Sequence, residues 1–179
     1  MVDDSRTMRL ALTRELNNLG FTRITEAVDG RAAIGKIRQE AFDLVLLDME
    51  MPEMDGMGVL LEIRNDPDLR GLPVIVISGA EQVDAAVRCI EAGAEDYLPK
   101  PFNPTLLRAR VTTSLEKKRL RDLDRIRLIQ LQAEKDRLEE MQRRLDGELA
   151  EAANYVRSIL PEPICSPLRI DWKYQPFFH

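Results

Sequence analysis

Residues 42–52 read Phe42-Asp43-Leu44-Val45-Leu46-Leu47-Asp48-Met49-Glu50-Met51-Pro52. A half-exposed strand alternates apolar and polar side chains, so the nearly continuous run from Phe42 to Leu47 predicts a strand covered on both faces. Strands of that kind occur in parallel sheets with helices packed on either side. Asp48 ends the run and would stand at the carboxyl edge of the sheet, where open α/β sheets bind their ligands.

On both sides of this strand, amphipathic helical stretches alternate with short apolar runs, the pattern of an α/β fold with a doubly wound parallel sheet. Ser5 can cap a helix running through Leu19, with Met8, Leu10, Ala11, Leu12 and Leu16 toward a core and Gly20 as its stop. Ile24 to Val28 follows as a strand, and Asp29-Gly30 turns the chain into a second helix ending near Glu40. Gly56 to Asn65 reads as a third helix and Val74 to Ile77 as a wholly apolar strand stopping at Ser78 and Gly79. Glu81 to Ala92 reads as a fourth helix and Asp96 to Leu98 as a last short strand. Asn103-Pro104 then opens a fifth helix, with Asn as cap and Pro at the first helical position.

That fifth helix meets no breaker until Gly147, and a single glycine costs only about 1 kcal/mol, so it is predicted to continue to Leu160 and Pro161. At 1.5 Å per residue it would approach ~80 Å, too long to lie along one small domain. Leu131, Leu138, Leu145, Ala152 and Ile159 recur at heptad spacing, with Met141, Leu149 and Val156 alongside. This is a coiled-coil seam with a phase shift near Leu149, and it predicts a parallel homodimer. Upstream, Leu115, Leu120, Leu123 and Leu128 follow a different phase. Downstream, Pro161, Pro163 and Pro167 interrupt regular structure, and the stretch Leu168 to Tyr174, alternating around Trp172, predicts the start of another domain that is cut short. The expected organisation is a first domain over 1–113, a coiled-coil helix over 114–160 and the start of an output domain over 161–179.

The 179 residues are 44% hydrophobic, enough to bury a core. A formal net charge of -5, with 32% charged residues, offers no broad basic surface for nucleic acid. Lys117, Lys118 and Arg119 sit among Glu116, Asp122 and Asp124, so they read as a solvated helix face, and no nucleic-acid partner is expected. Cys89 and Cys165 lack CxxC or metal-ligand spacing, which fits a reducing cytoplasm. No apolar run approaches the roughly 18 residues of a membrane span, and there is no signal-peptide pattern, so a cytoplasmic protein without a membrane partner is expected.

Residues just beyond the apolar runs gather at one sheet edge: Asp3, Asp4, Asp48, Ser78 and Lys100. Several carboxylates held together repel unless a cation keeps them ionised, and Mg²⁺, which favours oxygen ligands and retains waters, is the natural candidate. Phosphoryl transfer to a carboxylate would use such a cation together with the Lys100 ammonium to neutralise charge on the transferring oxygens, with the Ser78 hydroxyl donating to the product.

The segments Val2-Asp3-Asp4-Ser5, Leu47-Asp48-Met49-Glu50-Met51-Pro52, Met54-Asp55-Gly56, Ile77-Ser78-Gly79-Ala80 and Lys100-Pro101 resemble, in order and spacing, the motifs of response-regulator receiver domains. The resemblance covers Val2 to Thr113. It implies a flavodoxin-like five-stranded sheet of order 2-1-3-4-5, with Asp48 as phosphoacceptor and Asp3, Asp4, Asp48 and the backbone carbonyl of Glu50 around Mg²⁺. It further implies Lys100 as the phosphate-pairing lysine, a cis bond at Pro101, and a switch in which Ser78 moves toward the phosphate while Tyr97 turns inward. A histidine kinase is the implied donor, since His179 is terminal and the only histidine. The chain departs from the family at its start: only Met1 and Val2 precede the acid pair where a full apolar strand is expected, so either a few native residues are absent ahead of it or its start is misassigned.

A second resemblance joins Glu148-Leu149-Ala150 through Ser158-Ile159-Leu160-Pro161 and Leu168-Arg169-Ile170-Asp171-Trp172 to the entry of metal-dependent serine phosphatase output domains of the PPM type. It implies a receiver controlling a phosphatase, with no catalysis in this chain itself. A nucleotide cyclase output and an inert dimerisation module are the alternatives. Taken singly, Asp48 could be a solvated loop acid, Asp3 and Asp4 a charge pair at a helix start, Ser78 a turn residue, Lys100 a surface charge, Tyr97 a packing residue, and Cys89 packing. It is the combination that points to chemistry.

Overall fold

The computed structural model describes residues 1–79, 83–159 and 173. The chain divides into two units, Met1–Arg125 and Ile126–His179. In the first, helix α1 spans Arg6–Asn18, α2 Gly30–Gln39, strand β1 Val45–Asp48, α3 Gly56–Asn65, β2 Val74–Gly79, α4 Val83–Glu91 and β3 Asp96–Lys100. Helix α5, Pro104–Ile159, begins in this unit.

Four helices start at side-chain caps, which satisfy amide groups that a helix leaves without internal partners. Ser5 Oγ accepts from the Met8 amide at 3.4 Å, Asp29 Oδ1 from Ala32 at 2.7 Å, Asp55 Oδ1 from Gly58 at 2.8 Å and Asn103 Oδ1 from Thr105 at 2.8 Å.

The strands form one parallel sheet in the order β1-β2-β3. Val45 to Asp48 pair with Val74 to Ile77, and Ile75 to Gly79 pair with Asp96 to Lys100. Alternate residues of β1 and β2 enter opposite layers. Val45, Leu47, Val74 and Val76 pack with Ile34, Ile37, Val59, Leu60 and Ile63 of α2 and α3. Leu46, Ile75 and Ile77 pack with Leu12 and Leu16 of α1 and with Leu107 and Val111 of α5. Two covered faces explain why these strands carry no polar alternation, and full burial of each large aliphatic side chain contributes about 1.5–3 kcal/mol.

Among the described residues three strands form ladders, where the resemblance implies five. Val2 makes isolated parallel bridges to Ala27 on one side and to Leu47 on the other. The Val2 amide donates to Leu46 O at 2.8 Å and its carbonyl accepts from the Asp48 amide at 2.9 Å. Ile24 to Val28, expected as a strand, contribute a single bridge, from Ala27 to Val2. The Met1 ammonium donates to Thr25 O at 2.7 Å, and burial pushes its pKa down to about 6 against the nearby charge of Glu26. Beside it lies a cavity of about 410 Å³, walled by residues including Leu16, Phe21, Ile24, Phe42, Leu44 and Leu115.

The start of α5 is fastened to the sheet by charge. Arg110 pairs with Asp96 at 2.7 Å, and Lys117 and Arg121 pair with Glu95 at 3.3 and 3.1 Å. Burial alone would raise the Glu95 carboxyl, but Arg121 and Lys117 outweigh it and hold that carboxyl below its ordinary value.

In the second unit α5 continues to Ile159, through Gly147. Leu131, Leu138, Leu145, Leu149, Val156 and Ile159 are exposed. Its charged side chains pair along the helix, Lys135 with Glu139 at 3.5 Å and Arg144 with Glu148 at 3.2 Å. The predicted helix end at Leu160 and Pro161, Cys165 and the expected output-domain start around Trp172 lie outside the described residues, as do Ala80 and the predicted beginning of the fourth helix. Among the described residues no helix is long and apolar enough to cross a membrane.

Candidate functional site

The carboxyl edge of the sheet gathers acids from two neighbouring segments. Val2 bridges Leu47, so the next residue of each segment, Asp3 and Asp48, lie side by side. Carboxylate oxygens of Asp3, Asp4 and Asp48 all fall within 4.8 Å of one another. Asp3 and Asp48 are buried and Asp4 is exposed, so the cluster is closed beneath and open above.

Lys100, the last residue of β3, reaches this cluster from two strands away. Its Nζ lies 2.7 Å from Asp48 Oδ2 and 3.4 Å from Asp3 Oδ2. The first contact is a hydrogen bond, whereas the second is an ion pair that leaves Asp3 Oδ2 buried without a hydrogen-bond donor. Burial would lower the Lys100 pKa, but the hydrogen bond and charge of Asp48, with Asp3, reverse this and hold it above its ordinary value. Asp3 is pushed up, first by burial and then by the charge of Asp48, against the opposing pull of Lys100 and the Ser5 amide. A buried carboxyl crowded by a second carboxylate and short of donors is the electrostatic state that a bound cation relieves.

Ser78, at the end of β2, lies in register with Pro99, and Gly79 with Lys100. Its hydroxyl is buried and has no hydrogen-bond partner among the described residues. A buried donor left unpaired costs about 1–3 kcal/mol, a cost recovered when a ligand supplies an acceptor. The Glu50 amide donates to Asp48 Oδ1 at 3.3 Å, which fixes the turn directly after β1. The bond from Lys100 to Pro101 is cis. Tyr97 is half-buried within β3, opposite Val76, and is not part of the acid cluster.

Two residues have supporting roles that the sequence did not reveal, Arg9 and, within a motif already noted, Gly56. Arg9 donates to the backbone carbonyls of Asp3 and Asp4 at 2.9 and 3.1 Å and pairs with Glu26 at 3.0 Å, so it holds the acid loop from behind. A base so near a helix amino end opposes the helix dipole, and that was the available signal. Gly56 donates from its amide to Met49 O at 3.1 Å, and a Cβ there would collide with the Asp48 carbonyl and with Met49. The loop between them carries Glu53 at φ 66, a left-handed conformation uncommon in a residue with a side chain. Such strain is sustained where the surrounding structure over-determines a loop.

Comparison with known proteins gives one consistent result. The family model for the response regulator receiver domain matches residues 1–112. The chemotaxis protein CheY of Pseudomonas aeruginosa is 33% identical over 117 residues, covering 65% of this chain and 94% of that protein. A protein named as a probable transcriptional regulator, ycf27, of Guillardia theta is 38% identical over 117 residues, covering 65% of this chain. The match spans 44% of the length of ycf27. The crystal structure of the receiver domain of NtrX from Brucella abortus superposes with a TM-score of 0.60 at 32% identity, covering 64% of this chain and 95% of that one.

Proposed function

The chain belongs to the response-regulator receiver family of two-component signalling, and from that premise we propose that Asp48 is its phosphoacceptor in a Mg²⁺-dependent transfer. Response regulators receive phosphate from histidine kinases, and receiver domains bind Mg²⁺ at an acidic pocket. The observation that carries the reading is the convergence of Asp3, Asp4 and Asp48 within 4.8 Å around a carboxylate that Lys100 holds at 2.7 Å.

Asp3, Asp4 and Asp48, with the backbone carbonyl of Glu50, would hold the ion, whose chemistry is to neutralise charge on the transferring phosphoryl group. The donor set suits it: all are hard oxygens, and one of them, Asp3 Oδ2, is buried and short of donors. In the transfer an Asp48 carboxylate oxygen attacks phosphorus, the bond from phosphorus to the donor imidazole or acyl oxygen breaks, and the donor leaves with that electron pair. Lys100 gives up part of its hold on Asp48 and pairs with the phosphoryl oxygens, as a point charge suited to phosphate. Ser78 donates its free hydroxyl to the product. Tyr97 fills the space that Ser78 leaves, and the surface made by α4, β3 and the start of α5 changes with it.

This reading makes the chain a phosphoacceptor switch and no enzyme in its own right. It extends to a homodimer through the coiled coil of α5 and to an output domain of the serine-phosphatase type downstream, for which the sequence from Glu148 to Trp172 is the support. Incubation with Mg²⁺ and acetyl phosphate should add one phosphoryl mass to the protein, and Asp48→Asn should abolish the addition. An unchanged mass in the parent protein, under conditions where a control receiver is labelled, would overturn the assignment.

A further inference from the structure

The exposed face of α5 beyond Ile126 carries more than an apolar stripe. Leu128, Leu131, Leu138, Leu145, Leu149, Val156 and Ile159 are between 43% and 67% exposed, too many large aliphatic side chains on one helix to be left in water. Taking Leu131, Leu138, Leu145, Ala152 and Ile159 as the d positions of a heptad places Leu128, Lys135, Gln142, Leu149 and Val156 at a. The d row is wholly apolar, and the a row carries two polar residues side by side in the middle. With Lys135 and Gln142 accepted at a, one unbroken register runs from Leu128 to Ile159, and no phase shift is needed.

We infer that the occupant of this face is a second copy of the chain, packed parallel and in register, with Lys135 and Gln142 as two polar layers that fix the alignment. The inference deepens the homodimer reading above and rests on it. In an antiparallel pair, a residues meet d residues, so Lys135 would be pressed against Ala152 and Gln142 against Leu145, setting an ammonium and an amide against apolar side chains. In a parallel pair, a meets a. Gln142 then faces its own amide twin, and each Lys135 lies beside Glu134 of the other copy at the flanking g position, giving two crossed ion pairs around one layer. A shift by one heptad would set Lys135 against Leu128 or Gln142 and break both matches.

Charge elsewhere agrees. Arg137, Arg143 and Arg144 all fall at b and c positions, away from the seam, where Arg143 and Arg144 pair within their own helix with Glu139 and Glu148 at 3.9 and 3.2 Å. The flanking acids are thereby partly neutralised without the second copy, and Lys135, 3.5 Å from Glu139 of its own helix, is the one cation at the a and d positions between Leu128 and Ile159.

The test uses the full chain with Cys165→Ser, without Mg²⁺ or phosphoryl donor, so that its outcome is independent of chemistry at Asp48. Sedimentation should give a dimer, and a monomer at high micromolar concentration would overturn both this inference and the homodimer reading. Leu131→Cys and Val156→Cys variants, mixed in equal amounts, exchanged and oxidised, should give self-linked dimers in excess of mixed dimers on the order of tenfold. Predominant mixed product would mean antiparallel pairing, and would overturn the orientation while leaving the dimer intact. The double variant Lys135→Leu, Gln142→Leu should form species larger than dimers alongside the dimer. Retention of a single parallel dimer in that variant would remove the role assigned to the two polar layers.

Discussion

Lys100 and Asp48 are joined by a 2.7 Å hydrogen bond across three strands' width of sheet, between side chains that are 26% and 2% exposed. The same ammonium stands 3.4 Å from Asp3, so one cation serves two buried carboxylates.

Replacing Lys100 by methionine keeps the stem and removes the charge, leaving Asp3 and Asp48 facing each other. Breaking a buried ion pair on one side costs about 3–5 kcal/mol, and the partial exposure of Lys100 puts the expected loss at the lower end, about 3 kcal/mol. Millimolar Mg²⁺ should restore part of it. Urea unfolding of Lys100→Met with and without Mg²⁺ reads both quantities, and a variant as stable as the parent without metal would show that the pair contributes nothing.

Asp4 and Asp3 should separate binding from folding. Asp4 is exposed, whereas Asp3 is buried and its Oδ1 accepts from the Ser5 amide at 2.8 Å. Asp4→Ala should weaken Mg²⁺ binding at least about tenfold, equivalent to ~1.4 kcal/mol, with little change in unfolding. Asp3→Ala should damage both. Calorimetric titration with Mg²⁺, beside thermal unfolding, distinguishes the two patterns.

Two glycines make a matched contrast. A Cβ at Gly56 would strike the Asp48 carbonyl and the Met49 backbone, while Gly35 in α2 has nothing within 4 Å. Gly56→Ala should destabilise by about 2–3 kcal/mol through overpacking, and Gly35→Ala should stabilise by about 0.5–1 kcal/mol through helix propensity. Chemical denaturation of both variants would expose an error in either sign.

The amino terminus predicts a pH dependence. In a protein beginning at Met1, the ammonium falls from 8.0 to about 6 on folding, so between these values the unfolded chain binds more protons. Stability contributed by this group is therefore complete above pH 8 and lost as pH falls toward 6, by about 2–3 kcal/mol. Acetylating the amino group should flatten that slope, and an unchanged slope would place its origin elsewhere.

Much of the site could be read before the fold was known, because each member ends an apolar run: Asp48 after Leu47, Ser78 after Ile77, Lys100 after the short strand at Leu98. The sheet itself was legible where strands are buried on both faces and illegible where they are not. Ile24 to Val28 has the composition of a strand, yet its observed pairing is the single bridge from Ala27 to Val2. Arg9 was missed because it holds the acid loop through backbone carbonyls, which no side-chain pattern reveals, and its side-chain partner Glu26 lies 17 residues away. Gly56 stood inside a quoted motif, but the collision that demands glycine is with a carbonyl eight residues earlier, a fact of the turn and not of the sequence around it.

The single-residue bridges at Val2 also bear on kinetics. Asp3 is carried to the site by a segment tied through isolated contacts, and such segments open more readily than the ladders beside them. Where the Val2 bridges open, Asp3 leaves the cluster, so binding of the proposed cation and closure of the Met1 to Asp3 segment are expected to favour each other. Amide hydrogen exchange at Asp3 and Asp48, whose amides donate to Ala27 and Val2, should therefore be quicker than at Ile75 or Ile77 and should slow when Mg²⁺ is added. On the proposed reading, how readily the pocket holds a cation would depend on how often the Val2 bridges open.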